Sequence, residues 1–239
     1  MSRTEIPTRP PRSVGVARPP RHSVVADAVL AGVALPFVGF AVADLGTPGW
    51  SPVERMVSHY VHAPGVGPLV PAGLLALAVA SAGLLRLAAA RTRGGGAGLW
   101  LLGIWSAAVL VGGIFPTDPY GQWDRPLSPA GMVHGIAGLT AFTVLPVAAV
   151  LLTRVWRRDP RWRPVSRAVT ASTVLCVVAF LGFAVTGVDV MTEGASLTFG
   201  GYESVAGLAE RVMLWSYALW LGTVTVGLRR LVRQDRSNR

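Results

Sequence analysis

Four polar residues lie close to the ends of long apolar stretches of this chain. Asp118 ends the stretch GIFPTD (113–118), His134 follows the stretch GMV (131–133), and Glu210 and Arg211 lie near the start of the last apolar stretch. Imidazole and carboxyl groups can transfer protons, and a guanidinium group can hold an anionic head group. The residue types therefore make these four the candidate catalytic residues.

Each of the four also has a structural interpretation. Asp118 can be a solvated carboxylate after Pro116 ends a helix, and His134 can be hydrogen-bonded to a backbone carbonyl. Glu210 and Arg211 point about 100° apart on a helix, so each is expected to pair with another helix, and Asp118 is the natural partner for Arg211. Because a polar group in lipid is costly, we expect all four to face inward and converge in one cavity.

A stretch between the first two apolar segments contains two further histidines. Ser51 is placed to cap a short helix that has Pro52 at its first position. His59 and His62 would share one face of this helix, and together with His134 they could bind zinc, which takes imidazole ligands. This spacing is common and no longer metal signature accompanies it, so a lid helix with surface histidines is the alternative.

Six apolar segments must position these residues. Each is close to the ~20 residues with which a helix crosses the ~30 Å core of a bilayer. None alternates in polarity as barrel strands do, so all six are predicted to be helices. In the fourth, Gly131 and Gly135 have the spacing that permits close helix packing. The segments are Val24–Leu45, Gly67–Ala89, Ala97–Phe115, Gly131–Val155, Ala168–Val190 and Val205–Leu228.

The composition points to the same class. Hydrophobic residues make up 51% of the 239 residues and charged residues only 14%, whereas a soluble domain carries about 25% charged residues. We predict an all-α polytopic membrane protein, a six-transmembrane-helix bundle with a short outer interfacial helix. Residues 24–230 form the bundle, residues 1–23 a disordered basic cytoplasmic arm, and residues 231–239 a basic cytoplasmic tail.

The arginine residues are unevenly distributed between the two sides of such a bundle. Nineteen of the 22 basic residues fall in the termini and two alternate loops, two fall in the other loops, and Arg211 lies in the last helix. Positive charge stays on the cytoplasmic side. We therefore expect both termini in the cytoplasm and the acidic residues at the outer face. Every basic residue is Arg, which indicates codon bias in a GC-rich bacterium and hence the bacterial cytoplasmic membrane.

Several other kinds of site are missing from the sequence. It has no phosphate-binding loop, dinucleotide fingerprint or nucleophile elbow. The basic residues lie in short runs between apolar segments, which favours contact with membrane lipids and argues against nucleic acid. The single cysteine, Cys176, lies inside an apolar segment, where a buried thiol packs as a small hydrophobe.

The stretch GIFPTD (113–118), His134 early in the fourth helix and the Glu210-Arg211 pair occur in an order and spacing that resemble a known family. It is the bacterial six-span membrane family called domain of unknown function 998. The resemblance covers about residues 25–230 and implies the same six-helix fold. It also supports grouping the aspartate, histidine and arginine of these motifs in one site. It implies no reaction, because the family has no settled activity.

Three functions stay open on this reasoning. The first is a lipid- or prenyl-binding site in a polar, acidic cavity at the outer leaflet, with or without acid/base or hydrolytic chemistry. The second is a non-catalytic membrane scaffold or sensor. The third is a small permease subunit, although a transporter is expected to carry polar residues at the midplane and related halves. The polar residues here lie at one mouth instead.

Overall fold

The computed structural model describes residues 21–121, 125–192 and 197–237, and within these the chain is all-helical, without a strand. Residues 1–20 of the predicted basic arm lie outside the described residues. The last helix continues through Ser237, past the predicted start of the tail at residue 231. The six long helices are α1 (Arg21–Gly46), α2 (Leu69–Arg91), α3 (Gly96–Ile114), α4 (Pro129–Arg158), α5 (Ser166–Thr192) and α6 (Ala206–Ser237), and two short 3-10 helices cover Val57–His62 and Pro160–Trp162.

Five of the six long helices, α1 to α5, are long and apolar enough to cross a membrane. They carry large apolar side chains on the outside of the bundle, as lipid contact requires, among them Leu35, Val79, Leu139 and Val178. The chain is therefore an integral membrane protein with several transmembrane helices. This confirms the predicted all-α membrane class.

Helix α6 differs from the other five in composition. Glu210 and Arg211 lie in its second turn, Arg229 and Arg230 lie near its far end, and the section between them contains tryptophan, tyrosine, serine and threonine. Much of this section is enclosed by protein, since residues such as Trp220 are fully buried. A helix that contacts protein over much of its surface can carry more polar groups than one that faces lipid on most sides.

Consecutive helices pack against each other, and α6 also packs against α1 and α2. Contacts between helix termini define two ends of the bundle. At the first, called the Glu210 end below, Arg211 near the start of α6 pairs with Asp44 at the end of α1. At the second, called the arginine end, Arg229 of α6 pairs with Asp27 at the start of α1. Thus α1, α3 and α5 end where α2, α4 and α6 begin.

The arginine end is densely packed around three buried tryptophans. Trp156 and Trp162 stack with ring centroids 4.4 Å apart, and Trp220 lies 6.1 Å from Trp156. The indole nitrogen of Trp220 donates a 3.0 Å hydrogen bond to Thr173, which ties α6 to α5. Gly227 faces Trp162 so closely that an added Cβ would lie 2.5 Å from the indole ring. This end leaves no room for larger residues, which is consistent with a structural role.

Candidate functional site

The Glu210 end encloses a cavity of about 400 Å³, and all six long helices contribute to its wall. On α6 the wall extends from Glu210 to Leu221, which corresponds to ~16 Å of helix rise. Most of the wall is apolar. The apolar residues include Phe37, Leu77, Trp105, Phe142, Phe183 and Leu221, and the polar residues at the end of the bundle are Ser58, His59, Thr117, His134 and Glu210.

His134 is fixed by the end of α3. Its ring Nδ1 lies 2.8 Å from the carbonyl oxygen of Phe115 and 3.1 Å from that of Gly112. Carbonyl oxygens only accept, so Nδ1 carries the hydrogen, and in the neutral ring Nε2 is left as a hydrogen-bond acceptor. The side chain thus satisfies free carbonyls of a helix terminus and also lines the cavity.

Glu210 is buried and joins α6 to the start of the first 3-10 helix. Its Oε2 accepts a hydrogen bond from the backbone N–H of Val57. Two residues earlier, the N–H of Leu208 donates to the carbonyl of Val53 at 2.9 Å, which satisfies a free donor of the helix start. Glu210 and His134 both line the cavity, so the structure brings two of the four predicted residues together.

Arg211 does not pair with Asp118, so that prediction is wrong. Its guanidinium contacts both carboxylate oxygens of Asp44, at 2.6 and 3.2 Å. It also donates to the backbone carbonyls of Pro52 and Arg55 at 2.7 Å each, and to that of its own helix neighbour Gly207 at 3.1 Å. Arg211 is not among the cavity-lining residues. Its donors fasten α6 to α1 and to the following loop, so they are not free for a head group.

Asp118 belongs to the start of α4. Its carboxylate accepts a 2.9 Å hydrogen bond from the backbone N–H of Ser128, the residue that caps α4, and hydrogen bonding to Ser128 lowers the pKa of Asp118. Gly131 faces this carboxylate, and an added Cβ would overlap it. Gly131 and Gly135 therefore do not form the predicted helix-packing pair, since no atom lies within 4 Å of a Cβ built at Gly135. Asp118 does not line the cavity.

His59 and His62 lie on the 3-10 helix but have different surroundings. His62 Nε2 donates to the carbonyl of Thr117 at 2.7 Å. His59 is 9% exposed, lines the cavity, and its Nδ1 has no hydrogen-bond partner. Burial, followed by the positive charges of Arg55, His62 and His134, lowers the pKa of His59 from 6.5 to about 4. His59 is therefore uncharged at neutral pH.

These histidines do not form the zinc site that the sequence suggested. Within residues 21–121, 125–192 and 197–237, no three His, Cys, Asp or Glu side chains lie together as metal ligands. His62 already donates its Nε2 hydrogen to a carbonyl, and His134 does the same with Nδ1. We therefore propose no zinc site at His59, His62 and His134.

The predicted cap of the short helix is wrong. The 3-10 helix begins at Val57, its N-cap residue Met56 makes no side-chain capping bond, and Ser51 Oγ has no partner. Residues 51–55 instead form a separate turn, in which the N–H of Arg55 donates to the carbonyl of Ser51 at 2.9 Å. The 3-10 helix nevertheless borders the cavity through Val57 and His59. Its position relative to a membrane surface stays a prediction.

The cavity reaches the side of the bundle between α4 and α5. Gly135 and Leu139 of α4 and Val188 of α5 line the cavity and are also exposed on the outside. Leu139 is 65% exposed and Val188 is 60% exposed. Small residues on both helices, Gly138 and Gly187, line the wall next to these positions. The cavity therefore has an apolar side opening that faces the region where lipid surrounds the bundle.

Asp44 and Tyr217 are polar residues in or beside this site that were not predicted as site residues. Asp44 provides the carboxylate for Arg211, and its position in the last turn of the first apolar segment was a usable signal. Tyr217 lines the cavity wall and donates from its hydroxyl to the carbonyl of Phe142 at 2.6 Å. No sequence pattern marks Tyr217, because a tyrosine inside an apolar helix is equally suited to packing.

The residues of this cavity fall within a region shared with a known protein family. A model of the family described as "Protein of unknown function (DUF998)" matches residues 30–227 of the chain. No curated protein and no solved structure matches the chain. The matched region runs from the third turn of α1 to the last third of α6, so it includes every residue of the cavity wall.

Proposed function

Because the chain belongs to the DUF998 family of proteins of unknown function, we propose its function from the geometry of the cavity: the protein binds an acyl or prenyl lipid chain within the bundle. The observation that carries this proposal is the shape and polarity of the cavity. It is a ~16 Å long, mostly apolar space with a cluster of polar groups at the Glu210 end, and the hydroxyls of Tyr217 and Thr143 farther along its wall are bonded to backbone carbonyls. A lipid has the same division into a long apolar tail and a compact polar head.

The side opening supports entry from the bilayer. A lipid tail that enters from water must first leave a membrane or micelle, whereas one that passes between α4 and α5 stays in apolar surroundings. Gly135, Leu139 and Val188 border this route, and Gly135 contributes no side chain that obstructs it. This arrangement favours lipid over a water-soluble metabolite as the ligand.

We also propose α6 as a sixth membrane span, with both termini in the cytoplasm. The exposed apolar residues of α6 lie three, four or seven positions apart, so they form one stripe on the helix: Leu208, Val212, Trp215, Leu219 and Val226. Such a stripe suits contact with lipid tails. Reporter fusions in a bacterial cytoplasmic membrane should place residues 121 and 201 on the outer side. Fusions that end at residues 93 and 163 should place those residues in the cytoplasm. The reverse result would refute this orientation.

Acid/base chemistry at the polar end is part of this proposal. His134 offers Nε2 as an acceptor, and Glu210 is a carboxyl group in the same cavity. These groups can hold a polar head group and can exchange a proton with it. Asp118 and Arg211 support the site from outside, since Asp118 bonds to the start of α4 and Arg211 bonds to α1.

The test is the lipid content of the purified protein. Protein extracted with a styrene–maleic acid polymer keeps its surrounding bilayer, and mass spectrometry can compare its lipids with those of the whole membrane. We expect one lipid class to be enriched at about one molecule per protein. Gly135→Leu should remove this enrichment, because the leucine side chain would project into the cavity opening.

Gly182→Leu is the matched control. Gly182 lies exposed on α5, does not line the cavity, and has no atom within 4 Å of an added Cβ. This variant should keep the enriched lipid. Equal lipid composition in the wild type, Gly135→Leu and the whole membrane would refute lipid binding and favour the scaffold alternative.

A further inference from the structure

The polar end of the cavity offers a ligand no permanent cation from the described residues. None of the arginines that the structure describes lines the cavity, and the sequence contains no lysine. Two arginines near this end are engaged elsewhere. Arg211 is paired with Asp44, and the guanidinium of Arg55 lies over the rings of Tyr120 and Trp50, 4.0 and 4.9 Å from their centroids.

The groups that do line this end suit an uncharged partner. His134 offers an acceptor nitrogen in its neutral form. Glu210 provides no attraction for an anion in either protonation state, because it repels one when ionised and is neutral when protonated. An anionic head group would be desolvated here without an arginine or lysine as counter-charge.

The volume of the cavity limits the size of the ligand. A water-sized group, close in size to a methylene, occupies roughly 30 Å³ in a liquid. A cavity of about 400 Å³ therefore holds on the order of 13 such groups. This is enough for one tail of about a dozen carbons and a small head group.

We propose that the cavity binds a single-tailed lipid with an uncharged, hydroxyl-bearing head group, and that it discriminates against the same tail carrying a phosphate. The inference rests on the proposed lipid binding and specifies its ligand class. A hydroxyl both donates and accepts, so it can donate to the acceptor nitrogen of His134. A phosphate would find no arginine among the lining residues that the structure describes.

Photo-crosslinking with matched probes tests this inference. The probes are 1-dodecanol with a diazirine near the end of its chain, and the phosphate ester of the same molecule. The full chain is placed in phosphatidylcholine nanodiscs, irradiated with each probe and mapped by peptide mass spectrometry. We expect the alcohol to label the cavity wall near Phe142 and Phe183 at least tenfold more than the phosphate does. Unlabelled dodecanol should compete with it.

Three variants sharpen the result. His134→Asn keeps an N–H donor in the place of Nδ1 but removes the acceptor nitrogen Nε2, so alcohol labelling should fall at least fivefold. His62→Gln is the control, because His62 does not line the cavity, and its labelling should match the wild type. Ser58→Arg places a cation at the polar end and should raise labelling by the phosphate probe.

The outcomes separate this inference from the proposed function. Equal or stronger labelling of the cavity by the phosphate probe in the wild type would overturn the uncharged head group but leave lipid binding standing. Labelling of the cavity by neither probe, or only of lipid-facing residues such as Val178, would overturn both. Unchanged alcohol labelling in His134→Asn would overturn the role of His134.

Discussion

The ion pair between Arg211 and Asp44 leads to a prediction that could not be made from the sequence alone. The guanidinium contacts both oxygens of Asp44 and also donates to the carbonyls of Pro52, Arg55 and Gly207. The two charged side chains are 12% and 26% exposed. The perturbation is a double-mutant cycle with Arg211→Met and Asp44→Asn, made singly and together.

The expected magnitudes follow from these contacts. Removing one partner of a fully buried ion pair costs ~3–5 kcal/mol, and the partial exposure of Asp44 lowers this through solvent screening. We expect Arg211→Met to lower the free energy of unfolding by ~2–4 kcal/mol, because it also removes three hydrogen bonds to carbonyls. Asp44→Asn should cost less, ~1–2 kcal/mol, since Arg211 keeps those carbonyl partners. The double variant should be ~1–2 kcal/mol more stable than the sum of the single effects predicts.

The assay is unfolding of the purified protein in mixed micelles with increasing dodecyl sulfate, followed by tryptophan fluorescence. Asp118→Asn is the control, because Asp118 bonds to Ser128 and not to Arg211. Its effect should add to that of Arg211→Met within ~0.5 kcal/mol. Coupling of Arg211 to Asp118 instead of Asp44 would refute the assignment of the pair.

Three further predictions address packing, capping and pH. Gly227→Ala should destabilise the protein by ~1–3 kcal/mol, because the methyl group meets the ring of buried Trp162, whereas Gly222→Ala, with no atom within 4 Å, should stabilise it by up to ~1 kcal/mol through helix propensity. Gly131→Ala should destabilise the protein by displacing the Asp118 carboxylate from Ser128, and this loss of stability should be absent in an Asp118→Ala background. The pKa of His59 falls from 6.5 to about 4 on folding, so the unfolded chain binds the proton first, and lowering the pH from about 6.5 to about 4 should remove up to ~3 kcal/mol of stability. His59→Phe should lose less stability than the wild type over that pH range, and equal losses would contradict the burial of His59. If Gly227→Ala is as stable as Gly222→Ala, the close packing of Gly227 against Trp162 is contradicted.

The contribution of His59 to the pH dependence of stability must be separated from the contributions of the neighbouring titratable groups. Arg55, His62 and His134 supply the positive charges that act on it, and Glu210 lines the same cavity. The same groups are present in His59→Phe, so the difference between the two stability curves isolates His59. The pKa of Asp118 is lowered, so any stability it contributes is lost only at the acid end of the range and cancels in this difference.

The helical membrane class could be predicted from the sequence because it depends on the length and apolar composition of each segment by itself. A run of ~20 apolar residues satisfies its own backbone in lipid only as a helix. The five helices α1 to α5 meet this condition by length and composition. Helix α6 meets this condition less clearly, because its tryptophan, serine and threonine residues lower its mean hydropathy. That protein encloses much of α6 can be seen only in the fold.

The partners of the polar residues could not be predicted in the same way. Distance from the end of a segment gives the depth of a residue in the membrane, but not the direction in which its side chain points around the helix. Asp44 and Asp118 both lie near the ends of apolar segments, so depth alone does not choose between them as the partner of Arg211. The choice depends on the packing of α6 against α1, and on the loop that brings Asp118 to Ser128.

The arginine end of the bundle is filled by side chains, whereas the Glu210 end contains the cavity, and an empty cavity would be costly. Residual cavities in protein cores cost ~24 cal/mol per Å³, so an enclosed, empty cavity of about 400 Å³ would cost on the order of 10 kcal/mol. That is comparable to the entire stability of a typical domain, ~5–15 kcal/mol. The stacked tryptophans of the arginine end stabilise the bundle locally and do not fill this space. The side opening between α4 and α5 removes the difficulty, because a lipid chain from the bilayer can occupy the cavity whenever its specific ligand is absent. Specificity must then come from the polar end, where His59, His134 and Glu210 distinguish a bound head group from a passing hydrocarbon chain.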